Sequence, residues 1–428
     1  MANTKKIMFI SVHGDPLAKL GGIQSGGQNI YVKEVVNALE AFGFTADVFT
    51  HWSDPAAPPI QLIGKKSRVI RLAAGEKGFQ SKQQLYTMLP QFIKELAALM
   101  HNPYQYSLIH SNYWLSGYVG MHLQKIYGFP LVHTSHSLGI VRKTAVAQQQ
   151  KDTGTNRLAT EKELLQKADC VIGTTLTEKK LLQSFYQVDQ EKIRIVPCGV
   201  NTAVFNPLQR EAACNDYIGD HKAVLFVGRF EENKGLGILL QSIVELRRKT
   251  NPLSIENIRL VIGGGDPLDT PETAISAEKK QYQKFIDDHD LSKHVQFLGP
   301  LKHEELAQYF AAVRATIVPS FYESFGLVAI EAMACGCPVI ASDTGGLREN
   351  VLHGTTGLLV EPKEPILLAN AIYELLSNDH LNNRMGKNAA VYAKRYSWLQ
   401  VATDLTQIYR EVVACQEEDV LGIRQNIY

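Results

Sequence analysis

Short apolar runs alternate along the chain with longer segments in which apolar residues recur every three or four positions. The runs at 6–12, 46–50, 108–110, 131–134, 170–174 and 193–196 have the length of buried strands, and the segments 30–42, 81–100 and 156–168 have helical periodicity, the first ending near Gly43. The order then restarts. Strands are predicted at 223–228, 259–263, 295–298, 315–319, 339–342 and 356–360, with helices at 235–249, 274–289, 304–311 and 327–334 and a helical C-terminus. Such strand–helix alternation predicts parallel sheets covered by helices on both faces. The expected fold class is α/β: two doubly wound, Rossmann-like halves joined across the polar stretch 206–220, with no repeat of solenoid period. Ligands of these sheets lie beyond the carboxyl ends of the strands, and two such halves facing each other make a cleft.

Composition narrows the function classes. A length of 428 residues leaves room for about two to four domains. Lys and Arg total 44 against 43 for Asp and Glu, so no broad basic face is available for a nucleic-acid backbone. The six cysteines show no disulfide framework, and Cys335-Gly336-Cys337 is too tight for a zinc pair and lacks a second pair. They read as small buried residues of a reducing compartment. His13 and Asp15 interrupt the first apolar run too early for a signal peptide, and Glu331 and Pro338 interrupt the longest weakly charged stretch, 326–341, so no membrane span is expected. The expectation is a soluble, cytoplasmic protein without a nucleic-acid partner.

Three motifs fall at predicted strand ends. Ser25-Gly26-Gly27-Gln28-Asn29 precedes the helix at 30. Paired glycines admit close backbone approach, and a helix N-terminus favours an anion. A flexible turn with a cap stays open as the alternative, and no full G-x-G-x-x-G supports a nicotinamide cofactor. Gly228-Arg229 follows the strand at 223, with Lys234 before the next helix. Arg229 can fork onto phosphate oxygens and Lys234 can add a point charge, which suits a diphosphate clamp better than a solvated loop. The third motif runs from Ser320 to Glu331 and includes Glu323, Ser324, Phe325, Gly326 and Leu327. Glu323 sits in a loop, whereas Glu331 sits in an apolar helix where a charge is costly without a partner. A loop carboxylate can grip sugar hydroxyls, one on the helix can accept a ribose diol, and the N–H groups around Gly326 can face a phosphate.

With Ala332-Met333-Ala334-Cys335-Gly336-Cys337-Pro338 and Asp343-Thr344-Gly345-Gly346 behind it, the third motif resembles the donor site of retaining, nucleotide-sugar-dependent glycosyltransferases of family 4. Gly228-Arg229, Lys234 and the run 295–299 resemble the other donor-side motifs, and the resemblance covers nearly the whole chain. It implies the GT-B architecture: an acceptor domain at 1–208, a donor domain at 215–409, and a C-terminal helix at 410–428 crossing back to the first domain. Gly26-Gly27-Gln28, Tyr113-Trp114-Leu115-Ser116-Gly117 and His133-Thr134-Ser135-His136 resemble the sucrose-phosphate synthase branch, and also the transferase acting on inositol phosphate in mycothiol synthesis. The chain has no room for an appended phosphatase-like region and so resembles a minimal, synthase-only form.

The resemblance implies transfer of glucose from a nucleotide sugar, UDP-glucose first, to fructose 6-phosphate. Inositol phosphate and free fructose are the alternative acceptors. Its implied catalytic group is His136, Arg229, Lys234 and Glu323. Gly27, Gly228, Leu301, Ser324, Phe325, Gly326, Leu327 and Glu331 would hold the donor, and Gly26, Gln28, Lys77, Lys82, Tyr113, Thr134 and Arg157 the acceptor. In the mechanism it implies, the anomeric configuration is retained and the leaving phosphate takes the acceptor's proton. No cofactor is required beyond the sugar nucleotide, and no divalent metal is essential; Asp287-Asp288-His289-Asp290 reads as a solvated helix end. The rivals are a nucleotide-sugar epimerase and a non-enzymatic, two-domain sugar-binding protein. The oligomeric state is open.

Overall fold

The computed structural model describes residues 5–18, 26–100, 102–141, 155–207, 216–219, 222–248, 258–268, 270–271 and 274–420. The chain divides into two compact units, Met1–Gly199 with Trp398–Tyr428, and Val200–Ser397. Ser25, residues 208–215 and 220 of the expected linker and residues 421–428 of the expected terminal helix lie outside the described residues.

In the first unit the strands are β1 Lys5–Ile10, β2 Phe44–His51, β3 Ile60–Leu62, β4 Arg68–Leu72, β5 Tyr106–Asn112, β6 Leu131–Thr134, β7 Cys170–Gly173 and β8 Ile193–Ile195. They form one sheet in the order β3-β4-β2-β1-β5-β6-β7-β8, parallel except that β3 runs against β4. Its helices are α1 Gly27–Leu39, α2 Lys82–Leu99, α3 Trp114–Tyr127, α4 Thr155–Lys167 and α5 Leu176–Tyr186, and the C-terminal helix Trp398–Val420 belongs to the same unit. Ile7, Met8, Phe9 and Ile10 of β1 are fully buried, because a parallel strand with helices on both faces has no solvent side. In α1, Tyr31, Val32, Val35, Val36 and Leu39 form the buried stripe. The Ser81 side chain accepts from Gln84 N–H while Gln84 reaches back to the Ser81 N–H, a reciprocal cap that starts α2.

The second unit repeats the plan. Its sheet runs β11-β10-β9-β12-β13-β14, with β9 Lys222–Val227, β10 Ile258–Gly263, β11 Val295–Gly299, β12 Ala315–Val318, β13 Val339–Ser342 and β14 Gly357–Val360, all pairings parallel. Helices α6 Leu236–Arg248, α7 Ala277–Asp288, α8 His303–Ala312, α9 Leu327–Ala334, α10 Gly345–Asn350, α11 Pro365–Ser377 and α12 Asp379–Ala393 complete it. Among the parallel strands of each sheet the order reverses once, between β1 and β5 and between β9 and β12. Those two reversals open crevices at the carboxyl ends of the strands, and the motifs sit there.

Every expected strand and helix is present with small shifts of its ends. The terminal helix differs most: it starts at Trp398 rather than 410, with Val401, Ala402, Leu405 and Tyr409 buried. The unexpected elements are β3, β4, α3, α5 and α10. Gly117 and Gly120 weaken the helical signal of α3, yet packing requires Gly117, since a Cβ there would lie 2.0 Å from Leu164 Cδ2. No described helix is long and apolar enough to cross a membrane.

Candidate active site

The crevice of the first unit is built around Asn112, the last residue of β5. Its amide nitrogen points at the carbonyls of Ile10 (3.5 Å) and His110 (3.3 Å), which turns its oxygen toward His136 Nε2 at 2.9 Å. An amide oxygen only accepts, so Nε2 carries the proton and Nδ1 is left as the acceptor nitrogen of His136. His136 has a left-handed backbone, φ 57, and the edge of its ring meets Tyr31 with centroids 4.8 Å apart. Burial pulls its pKa below the ordinary value, so the imidazole is neutral near pH 7. Gln28, in the first turn of α1, crosses the same reversal by donating to Ser11 Oγ (3.0 Å) and to the Asn112 carbonyl (3.3 Å).

The Gly26 turn is held by the buried amide of Asn29. It donates to the Asp15 carbonyl at 2.7 Å and accepts the Gly26 N–H at 3.0 Å, tying together the two flanks of residues 16–25. Asp15 in turn is ion-paired with the buried Arg71 at 2.6 Å. Gly26 is extended, a conformation open to any residue, and a Cβ there would meet nothing within 4 Å. Gly27 is exposed at the helix N-terminus.

Three other expected acceptor residues meet at Tyr113. Its N–H donates to the Thr134 carbonyl at 2.9 Å. The Lys82 ammonium and the Arg157 guanidinium lie 5.2 Å and 5.0 Å from its ring centroid. Among the described residues the buried Tyr113 hydroxyl has no hydrogen-bond partner. Arg157 is itself buried and pairs with Glu161 at 2.7 Å, while Glu161 also accepts from Gly139 N–H and the Tyr186 hydroxyl. Its charge is therefore partly matched, whereas Lys82 remains half-exposed. Lys77 stands apart: it is exposed, with its ammonium 3.5 Å from the Trp52 ring centroid, and no contact among the described residues joins it to Tyr113.

In the second unit, β9 and β12 deliver the other cluster. The Lys234 ammonium and Glu323 carboxylate form an ion pair, and Ser320 Oγ donates to the same Glu323 oxygen at 3.0 Å. The Gly346 N–H donates to the Glu323 carbonyl at 2.8 Å, and Asn350 holds the Phe325 carbonyl at 2.7 Å, so α10 clamps the loop from both ends. Ser324, between them, is enclosed so closely that a Cβ on Gly346 would lie 2.4 Å from its carbonyl oxygen. Gly326 adopts φ 89 and opens α9 without a side-chain cap; Leu327 begins the helix. Arg229 is more than half exposed and pairs with Glu231 at 2.7 Å. Gly228 donates its N–H to the Gly263 carbonyl, and Leu301 packs against Gly263. Glu331 lies deeper, 6% exposed in α9, and burial pushes its pKa up to about 7. A partner that donates hydrogen bonds, such as a diol, would favour its charged form.

Asn112, Asn29, Ser320 and Asn350 position these groups; Asn29 and Ser320 stood in the sequence motifs without a role, and Asn112 and Asn350 were not singled out. The available signal for Asn112 was its place at a strand end, which the early end predicted for that strand at 110 obscured.

The comparisons with known proteins agree with the two-sheet fold. The family described as Glycosyltransferase Family 4 matches residues 25–204, and the one described as Glycosyl transferases group 1 matches 215–391. The D-inositol 3-phosphate glycosyltransferase of Corynebacterium efficiens is 34% identical over 419 residues, 96% of each chain. A solved sucrose-phosphate synthase from Thermosynechococcus elongatus is 38% identical and superposes with a TM-score of 0.86, over 96% of this chain and all of that one. An Anabaena protein solved with UDP-glucose shares the fold alone, at 19% identity and a TM-score of 0.70, over 95% of this chain and 99% of that one. Full-length identity above 30% to a glycosyltransferase, with one family description on each sheet, places the chain among the GT-B glycosyltransferases of family 4.

Proposed function

We propose that the protein transfers glucose from a nucleotide sugar, UDP-glucose first, to fructose 6-phosphate, giving sucrose 6-phosphate. The observation that carries a phosphorylated acceptor is the pair of cations on the Tyr113 ring, Lys82 and Arg157, beside a buried tyrosine hydroxyl with no partner among the described residues. A dianionic group accepts from all three and gains charge-assisted bonds. The 38% identity to a sucrose-phosphate synthase favours the hexose phosphate. The curated relatives at 31–35% favour the second reading, inositol phosphate.

In this reading the donor belongs to the second unit and the acceptor phosphate to the first. Glu331 accepts the ribose diol, and Glu323 addresses the sugar. Arg229, Lys234 and the N–H groups at the start of α9 stabilise charge developing on the diphosphate. The acceptor hydroxyl attacks on the face that the diphosphate leaves, its proton passes to the departing phosphate oxygen, and the configuration is retained. No protein nucleophile, resident cofactor or essential metal enters the step. His136, neutral and accepting at Nδ1, serves as a sugar-hydroxyl contact rather than a proton donor.

The test is incubation with UDP-, ADP- and GDP-glucose and UDP-N-acetylglucosamine, each offered fructose 6-phosphate, inositol 3-phosphate or free fructose. Sucrose 6-phosphate and UDP are the expected products. Preference for inositol 3-phosphate moves the protein to the second reading. Equal use of free fructose removes the phosphate site, an isomerised sugar nucleotide marks an epimerase, and binding of the sugar nucleotide without any product marks a sugar-binding protein.

A further inference from the structure

The Tyr409 hydroxyl lies 2.6 Å from His110 Nδ1, and His110 Nε2 lies 2.8 Å from Thr134 Oγ1. Tyr409 comes from the C-terminal helix, His110 from β5 and Thr134 from the end of β6. All three are at most 1% exposed. A proton count sets the direction of this chain. Burial, with the nearby His133 and His136, holds the His110 pKa well below its ordinary value, so the ring is neutral, with one N–H and one lone pair. Tyr409 keeps its proton, since burial raises its pKa. His110 is the one hydrogen-bond partner of the Tyr409 hydroxyl among the described residues. A tyrosine that accepted from Nδ1 would strand its own O–H in the core, which is costly. Tyr409 therefore donates to Nδ1, and Nε2 carries the proton and donates to Thr134. The Thr134 oxygen is then an acceptor in this bond, and its hydroxyl proton is left for another partner. The Tyr31 hydroxyl lies close to Thr134 and, among the described residues, makes no hydrogen bond of normal geometry.

We propose that Tyr409 is a positioning residue: by donating to His110 it selects the Nε2-protonated tautomer, which makes the Thr134 hydroxyl a hydrogen-bond donor toward the phosphate-bearing acceptor. An anionic acceptor takes protons and offers none, so a threonine serving it must have its own proton free. This rests on the reading of Thr134 as an acceptor contact. It gives the C-terminal helix a part in acceptor binding that sequence motifs did not show.

Nitrogen-15 NMR of the histidine-labelled full chain reads the tautomer directly and needs no variant. The Nε2–H form at His110 is expected; an Nδ1–H form overturns the proposal whatever the acceptor is. The second arm is kinetic. Tyr409→Phe is expected to raise the KM of the phosphorylated acceptor that turns over, fructose 6-phosphate or inositol 3-phosphate, roughly two- to tenfold, with the donor KM unchanged. An unchanged acceptor KM, or equal rises in both, overturns it. Thr134→Val separates the causes. If Thr134→Val raises the acceptor KM and Tyr409→Phe does not, the coupling through His110 has failed. If neither raises it, the reading of Thr134 has failed and the proposal falls with it.

Discussion

Lys234 and Glu323, 89 positions apart in the chain, form one ion pair where β9 and β12 end. Each is less than a quarter exposed, at 24% and 19%. The clamp cation and the loop carboxylate are thus one unit, and their contributions to transfer should not add. Lys234→Ala leaves Glu323 without its counter-charge in the proposed donor site, and Glu323→Ala frees Lys234. A double-mutant cycle on kcat/KM is expected to give a coupling of about 0.5–3 kcal/mol, the double variant losing less than the sum of the singles. Additivity within error would show that the pair separates when donor binds.

Arg229 differs, since its ion pair with Glu231 is largely solvated. An exposed pair contributes little to stability, about 0–1 kcal/mol. Arg229→Ala should leave the urea midpoint nearly unchanged and lower kcat strongly, because its proposed work is on charge that develops in the transition state. Wild-type kcat at saturating donor would remove it from that role.

Strands were legible because β1, β9 and β13 are buried on both faces and read as unbroken apolar runs. The edge strand β3 was not, since Ile60, Gln61 and Leu62 are all exposed and three residues are too few to show a pattern. Helix α3 was hidden by glycines kept for close packing. The same contrast holds at the site. Arg229, Lys234 and Glu323 announce themselves by charge in the loops after strands, and Glu331 by charge in an apolar helix, whereas Tyr409 and His110, 299 positions apart, share no local pattern. Lys77 looked equivalent to Lys82 in sequence, and only the fold puts the first on Trp52 and the second on Tyr113.

Buried titrating groups set opposite pH dependences. His133 has its pKa lowered to about 3, and His110 is also well below the ordinary value. An unfolded histidine binds its proton near pH 6.5 and these do not, so each loses stability as pH falls from 6.5 toward the folded value. From pH 6.5 to 5 that is about 2 kcal/mol for His133, and His110 adds a loss of the same sign. Glu331, raised to about 7, has the reverse sign: the unfolded carboxylate is charged above about 4.5 while the folded one is held neutral, so acidification relieves about 2 kcal/mol over the same window. Urea titrations at pH 6.5 and 5 should therefore show Glu331→Gln losing more stability than wild type on acidification. Equal losses would mean that Glu331 is not neutralised by the fold.

The two cations on Tyr113 should respond differently to removal. Arg157 is buried and matched by Glu161, whose carboxylate also takes the Gly139 N–H and the Tyr186 hydroxyl. Arg157→Ala leaves a buried carboxylate without its counter-charge, a loss of about 3–5 kcal/mol for a broken buried pair. Lys82 is half-exposed and, among the described residues, has no carboxylate partner. Lys82→Ala should therefore change the urea midpoint little, by about 0.5 kcal/mol or less. Both cations should matter to the proposed acceptor phosphate, because each charge-assisted bond contributes roughly 1.5–3 kcal/mol. The acceptor KM should rise about tenfold or more in Lys82→Ala at unchanged fold stability, with the donor KM unaffected. That variant is the cleaner probe, since a rise in KM in Arg157→Ala mixes binding with loosened structure around residues 137–139. Arg157→Lys keeps the charge beside Glu161 but loses the fork, so it should recover stability more fully than acceptor affinity. An acceptor KM at the wild-type value in Lys82→Ala would take the phosphate away from the Tyr113 cluster.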